Sequence, residues 1–465
     1  MDDWRRVREE VLERLVPGPT ERKRLEDFTQ SLTEDLQDHL RGEDYDVSVE
    51  VHGSVSRDTW LRGQRDIDVF LVLNIEEGWN RIEGILDALK VYLGSGWVEA
   101  YAEHPYLRVC LDGFTVEFVP CFRIARGDEL ISSTDRTPLH TGYVSSTMEP
   151  GQADEVRLLK QFMKGIHVYG AEIKVQGFSG YLCELLILRY GGFRGVLEAA
   201  ASWRSGEVIQ MEDQRNSGEL RKLFSDPLIV PDPVDPVRNV ASAVSEEAYW
   251  TFIAASRFFL EDPSEGFFFP KKRDIGESQV LRMVKDHPLD ILFLVIRGGD
   301  HQVPDVLWGQ LHKTRDAIIN YLEECGFRVE RAAFWSDDED LNVLTIELGS
   351  ATIPRAAKQY GPPVRMRDDS RGFLKTHIGD EETVSGPGVE GDRWWVIKRR
   401  DIHCAERALR TVLEEGRDIG ISRGIRESMR QGYNILRDEE IEDYLTEDLC
   451  LFLDDFIRGC PDWID

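Results

Sequence analysis

Lysine is scarce in this chain. Of its 57 basic residues 13 are Lys and 44 are Arg, against 86 Asp and Glu, for a net charge of −29 at pH 7. A protein basic throughout, the usual footprint of nucleic-acid binding, is thereby set aside, and any RNA contact has to lie on a local basic surface. Few lysines among many arginines and acids also suit high salt, where self-repulsion is screened. Long apolar runs are missing as well: the longest, Ile291 to Ile296, falls far short of the roughly 20 residues that span a bilayer. The opening residues Met1 to Arg6 are charged, so no signal peptide is read and a cytoplasmic protein without membrane contact is expected. The seven cysteines are odd in number and lack paired spacing, which argues against zinc ribbons and disulfide scaffolds. Internal repeats and low-complexity segments are absent.

What remains is a globular composition, 41% hydrophobic and 31% charged, over 465 residues, enough for two to four domains. One stretch carries the chemistry. Val47, Val49 and Val51 alternate as a strand, Gly53-Ser54 follows as a turn, and Asp66-Ile67-Asp68 heads a second apolar strand. Alternation puts Asp66 and Asp68 on one face and Ile67 and Val69 on the other. Two adjacent carboxylates repel unless a cation lies between them, and a Gly-Ser turn offers N–H groups and a hydroxyl to phosphate oxygens. Either half alone is common in ordinary strand ends and loops. Their order, and a third acid, Glu117, in the strand-like run Gly113 to Pro120, favour catalysis. Three carboxylates from adjacent strands can hold two Mg2+ ions for an in-line displacement.

Along the chain, an amphipathic helix spans residues 2–16, and Thr20 is positioned to cap a second helix bearing Leu25, Phe28, Leu32, Leu36 and Leu40. After the acidic strand come a helix near 80–93 and strands near 98–111 and 114–123, completing an α/β unit of about 145 residues. Residues 135–140 read as a loop. From Asp154 a helix turns Val156, Leu159, Phe162 and Met163 inward and keeps Arg157, Lys160 and Lys164 as its polar face. Gly177 to Gly180 opens an apolar helix through Tyr190, Pro231 to Pro236 is rigid and helix-free, and a helix spans about 245–261. A strand at 289–297, a helix at 306–325 and strands at 328–335 and 342–348 then form a small β-α-β-β module, consistent with RNA binding and equally with an ordinary α/β core. Residues 355–375 carry six basic against two acidic residues, including Arg365, Arg367 and Arg371; Trp394, Trp395, Lys398, Arg399 and Arg400 follow. Singly these suit a solvated face; together they are where an RNA backbone would lie.

The Gly53-Ser54, Asp66-Ile67-Asp68 and Glu117 set resembles the nucleotidyltransferase superfamily that includes DNA polymerase beta. Asp135-Arg136-Thr137-Pro138, Glu155 to Lys160, Tyr169-Gly170-Ala171-Glu172, Gly177 to Leu186, Asp232-Pro233-Val234-Asp235 and Arg238-Asn239-Val240-Ala241 narrow the resemblance to the archaeal-type (class I) CCA-adding enzymes. It covers nearly the whole chain. It implies an α+β multidomain protein with a catalytic head at 1–145, a helical neck at 146–262 and a tRNA-binding body and tail at 263–465. It implies addition of C, C and A to immature tRNA from CTP and ATP with Mg2+, and it allows a homodimer. Asp66, Asp68 and Glu117 match the metal-binding carboxylates. Gly53, Ser54 and Arg57 match the triphosphate-holding turn, His140, Lys160 and Tyr169 further nucleotide contacts, and Arg238 the base-reading arginine; an Arg238 paired with Asp232 or Asp235 is the alternative. The family usually has Asp where Glu117 stands, and commonly Glu where Asp66 stands. A poly(A) polymerase, an oligoadenylate synthetase and a non-catalytic RNA-binding protein on the same scaffold are the rival readings.

Overall fold

The computed structural model describes residues 2–75, 78, 80–101, 104–125, 130–212, 216–271, 273–298, 303–414 and 416–464. Two compact units result: residues 1–272 together with 461–465, and residues 273–460.

The first unit begins with helices α1 (Asp2–Leu15) and α2 (Pro19–Gly42). α2 starts at Pro19, whose fixed φ suits a first helical position, with Gly18 before it and no side-chain cap; Thr20 therefore lies inside the helix rather than capping it. Strand β1 (Val47–His52), the four-residue helix α3 (Gly53–Ser56), β2 (Asp66–Leu73), α4 (Asn80–Leu93), β3 (Trp97–Tyr101), β4 (Pro105–Leu111) and β5 (Phe114–Phe122) follow. The strands form one sheet in the order β1-β2-β5-β4-β3, with β2 and β5 parallel. Residues 102 and 103, within the strand expected at 98–111, lie outside the described residues. One face of the sheet, built from Ile67, Val69, Leu71, Val116 and Phe118, packs on α2 and α4 through Leu32, Leu36, Leu40, Ile85 and Leu89. Alternation sends Asp66, Asp68 and Glu117 to the opposite face, ahead of a smaller cluster of Phe70, Val72, Val119 and Cys121.

The segment expected as a loop at 135–140 is helical. Asp135 is buried and accepts hydrogen bonds from the Phe122 and Ser132 N–H groups, both at 2.7 Å, and α5 (Arg136–Thr147) starts beside it. Helices α6 (Gln152–Gly165), α7 (Gly180–Tyr190), α8 (Phe193–Ala200), α9 (Ser217–Leu223) and α10 (Glu246–Glu261) follow, with a short strand pair, β6 (Glu207–Val208) and β7 (Leu228–Ile229), between α8 and α10. Ser179 caps α7 by accepting from the Leu182 N–H at 3.1 Å. α1, α6, α7, α8 and α10 share one aromatic-rich core that includes Phe162, Phe193, Phe252, Phe259 and the C-terminal Trp463.

In the second unit, α11 (Glu277–Asp286), β8 (Asp290–Arg297), α12 (Pro304–Glu324), β9 (Val329–Ser336) and β10 (Leu341–Leu348) give the expected β-α-β-β order. The sheet has a fourth member, β14 (Tyr433–Arg437), which pairs with β8 in the order β14-β8-β10-β9. Both faces are covered, which is why Ile291 to Ile296 is continuously apolar. A second sheet of β11 (Ala356–Pro363), β12 (Thr383–Glu390) and β13 (Arg393–Arg399), ordered β11-β13-β12, carries α13 (Arg367–His377). α14 (Ala405–Glu414) and α15 (Arg423–Gln431) pack on the first sheet, and α16 (Glu447–Arg458) lies on its other face. Among the described residues no helix is long and apolar enough to cross a membrane.

Candidate active site

Register brings the acids together. On β2, Asp68 pairs with His52 of β1 on one side and with Glu117 of β5 on the other, and Asp66 pairs with Thr115. Burial raises the Asp68 carboxyl to about 6, with the neighbouring Glu117 charge the second cause and Asp66 a smaller one. Gly53 has φ of +69°, and a Cβ there would stand 1.9 Å from Asp68 Oδ2. Glycine is the residue that lets α3 start against the carboxylate. Ser54 lies half-buried in the same turn, which takes the form of the four-residue helix α3.

Glu117 is engaged elsewhere. Its Oε1 accepts from Arg108 Nε at 2.8 Å and lies 2.5 Å from Arg108 Nη2, a cross-strand neighbour. Among the described residues no three His, Cys, Asp or Glu side chains converge as an ion-binding group. The donor chemistry nevertheless fits a hard divalent cation: three carboxylates crowd one sheet face, and one of them is satisfied by a side chain that an ion can replace.

Of the polar residues read on α6, Arg157 and Lys160 are buried and Lys164 is exposed. Arg157 donates to the Trp60 carbonyl at 2.9 Å, to Asp154 at 2.7 Å and to the Asp58 carboxylate at 2.7 Å. Lys160 Nζ donates to the Thr59 carbonyl at 3.1 Å and Thr59 Oγ1 at 3.2 Å, and lies 3.9 Å from Glu184. Burial lowers the Lys160 pKa, and Glu184 opposes that shift. Arg57 Nε lies 2.9 Å from Glu184 Oε2. Tyr169 is half-buried, with Lys164 Nζ 5.2 Å from its ring centre.

A second group gathers around Asp232, which is buried. His140 Nε2 donates to its Oδ2 at 2.8 Å and Arg238 Nη1 to the same oxygen at 2.9 Å. Arg238 thus adopts the pairing with Asp232, while Asp235 receives Arg136 at 2.8 Å. His140 stacks on Tyr181 with ring centres 3.9 Å apart. Burial lowers the His140 pKa. At Asp232 burial pushes the carboxyl pKa up, but the His140 bond and charge, the Val234 N–H and Arg238 bring it below the ordinary value.

Profiles of three protein domains match the chain. The nucleotidyltransferase domain covers residues 32–140, the second domain of tRNA nucleotidyltransferase 154–269, and the C-terminal domain of CCA-adding enzyme 291–438. A CCA-adding enzyme of Pyrobaculum islandicum is 37% identical over 422 residues, 90% of this chain and 95% of that protein. Those of Saccharolobus solfataricus and Methanothermobacter thermautotrophicus are 39% and 35% identical, covering 86% and 96% of this chain and 90% and 97% of theirs. The chain belongs to the CCA-adding enzyme family. It is a nucleotidyltransferase. A solved cytoplasmic RNA terminal U-transferase aligns with a TM-score of 0.45 at 15% identity, over 59% of this chain and 100% of that one.

In this family member the basic candidates of the second unit divide. Arg365, Arg367, Arg371 and Arg399 are exposed. Lys398 faces Asp380 at 3.2 Å, and Arg400 donates to the Cys325 carbonyl at 2.9 Å, so Arg400 braces the fold rather than a solvated surface. Sequence reasoning did not single out Glu184, Asp232, Thr59, Tyr181 or Arg108 as site residues. For Glu184 a signal existed: it is the single charged residue in the apolar run Leu182 to Leu188.

Proposed function

We propose that the chain adds C, C and A to the 3′ end of immature tRNA from CTP and ATP, without a nucleic-acid template and with release of pyrophosphate. The observation that carries this reading is the register of Asp68 beside Glu117 under the Gly53 turn. Asp66, Asp68 and Glu117 would hold two Mg2+ ions, which when bound supply Lewis-acid activation of the tRNA 3′-hydroxyl and charge stabilisation for the leaving pyrophosphate. Glu117, which accepts from Arg108, would be a ligand in this set. Arg57 and Lys160 supply positive charge to the triphosphate, together with the Gly53-Ser54 turn, and Tyr169 borders the same site.

Base choice is assigned to Arg238. A guanidinium donates and cannot accept. It suits the O2 and N3 acceptors of cytosine or the N1 acceptor of adenine, whereas uracil N3–H would face it donor to donor. Its bond to Asp232 engages Nη1 and holds the group in place beside His140. The exposed Arg365, Arg367, Arg371 and Arg399 are assigned to tRNA phosphates, and the protein to the cytoplasm.

Incubation with labelled CTP and a tRNA lacking its terminal CCA tests the reading. Incorporation of label supports it. A poly(A) polymerase or oligoadenylate synthetase would use ATP and leave CTP untouched, and an RNA-binding protein would bind the tRNA and transfer neither.

A further inference from the structure

Glu184 lies on α7, fully buried among Leu182, Cys183, Leu185, Leu186 and Ile187. Its Oε1 accepts from Thr59 Oγ1 at 2.6 Å and from Arg57 Nε at 3.1 Å, and lies 3.9 Å from Lys160 Nζ. Its Oε2, also buried, stands 2.9 Å from Arg57 Nε without an aligned hydrogen bond among the described residues. Thr59 completes the group: its hydroxyl donates to Glu184 and accepts from Lys160 at 3.2 Å. One carboxylate therefore stands between two cations, Arg57 beside α3 and Lys160 on α6.

Resting on the reading of Arg57 and Lys160 as triphosphate contacts, we infer that Glu184 is a positioning residue that aims both cations at the triphosphate of either nucleotide. A buried carboxylate is tolerated where it is paired and hydrogen-bonded, and here its partners are the two cations of the site. The Nε side of Arg57 is anchored on Glu184 and Nη1 reaches Thr141 Oγ1 at 3.3 Å, so the guanidinium plane is fixed. Removing the acid would loosen its hold on both cations. Burial and Arg57 both lower the Lys160 pKa while Glu184 raises it, so loss of Glu184 favours loss of the Lys160 proton. The result is a Lys160 that holds its proton less firmly and one side chain, Arg57, released from its orientation. The triphosphate is common to CTP and ATP, so both suffer alike, and base choice at Arg238 is untouched.

The test uses full-length Glu184→Gln, which preserves side-chain shape, alongside Glu184→Asp and Thr59→Val. Steady-state constants for CTP and ATP on truncated tRNA are measured together with binding of inorganic tripolyphosphate. For Glu184→Gln, KM for both nucleotides is expected to rise about tenfold to a hundredfold, with kcat changed far less, tripolyphosphate binding weakened in step and the CTP-over-UTP preference kept. Glu184→Asp should recover part of the loss, and adding Arg57→Ala to Glu184→Gln should cost less than the sum of the two. Should Glu184→Gln fail to fold, Thr59→Val carries the same expectation, with KM raised about threefold to tenfold. Parental KM and tripolyphosphate affinity in a folded variant, or full additivity with Arg57→Ala, would overturn the role. The parent's own transfer of C and A is read in the same assay. An inactive parent counts against the proposed function, while the tripolyphosphate measurements still judge Glu184.

Discussion

At the residue scale the site is a problem of charge placement. Asp68 is held beside Glu117 and near Asp66, and burial with those charges raises its carboxyl to about 6, a penalty on the ionised form that a bound cation would relieve. Asp68→Ala is expected to abolish nucleotide transfer and leave tRNA binding intact; near-parental turnover in the variant contradicts the metal role. Glu117 gives a graded check. Glu117→Asp should retain activity with a changed Mg2+ requirement, because a shorter carboxylate still binds the ion at about 2.0–2.1 Å. Glu117→Gln should lose most activity, and a Gln variant as fast as the parent would remove Glu117 from the ligand set. Arg238→Ala should keep the fold and lose discrimination between CTP and UTP by roughly ten- to a hundredfold. UMP misincorporation on tRNA ending in C reads it, and an unchanged preference would leave Arg238 as the partner of Asp232 alone. Legibility at this scale was uneven. Asp66, Asp68 and Glu117 were readable because strand alternation fixes their face. Arg157 and Lys160 were read as polar, but their burial was not, because their partners Asp58, Thr59 and Glu184 lie far away in sequence.

At the scale of elements, regular periodicity was legible and long-range completion was not. β8, α12, β9 and β10 lie within a few residues of their expected places, because β8 and β10 are strongly apolar and α12 repeats Leu307, Leu311, Ile318 and Leu322 along one face. β14 was invisible: five residues complete a sheet whose other strands lie more than 80 residues earlier. The sheet of β11, β12 and β13 was equally hidden, since its half-exposed strands lack the alternation that marks one buried face. The helix at α5 was lost because Asp135 makes no side-chain cap bond into it; its carboxylate accepts instead from the Phe122 N–H of the sheet and the Ser132 N–H of the preceding turn. One cross-strand pair gives a stability prediction. Glu347 on β10 is buried, accepts from Arg331 of β9 at 2.7 Å and receives His287 at 2.6 Å. The Arg331 bonds, with those of His287, hold its carboxyl below the ordinary 4.5. A depressed carboxyl stabilises the fold above its unfolded value, so this contribution is complete above pH 4.5 and lost as pH falls through the lower folded value. Glu347→Gln should lower stability by about 1–3 kcal/mol at neutral pH, and the gap from the parent should close below pH 4.5. Denaturant titrations at several pH values measure it; a pH-independent gap contradicts the charge-based cause.

At the scale of the whole molecule, an acidic protein has to meet a polyanion. A net charge of −29 makes the distribution of arginine matter more than its amount. Arg365, just before α13, and Arg367 and Arg371 on it are exposed, whereas Arg400 is committed to the Cys325 carbonyl. Replacing the first three with Ala should weaken tRNA binding and flatten its dependence on salt by up to about 0.7–0.9 for each phosphate no longer neutralised. Use of CTP should be unchanged. Filter-binding across a salt series reads the slope, and an unaltered slope and affinity would reassign the patch to surface ion pairs. The family itself was legible because its marker strings run through most of the chain. The order of addition was not, since it depends on how tRNA and nucleotide meet in one site. The most direct test of the account is therefore a product ladder at single-nucleotide resolution, starting from a tRNA that lacks its CCA. CTP alone should extend it by two residues and stop, ATP alone should give no product of CCA length, and both together should end after one further A. Unlimited extension with ATP, or no extension with CTP, would contradict it.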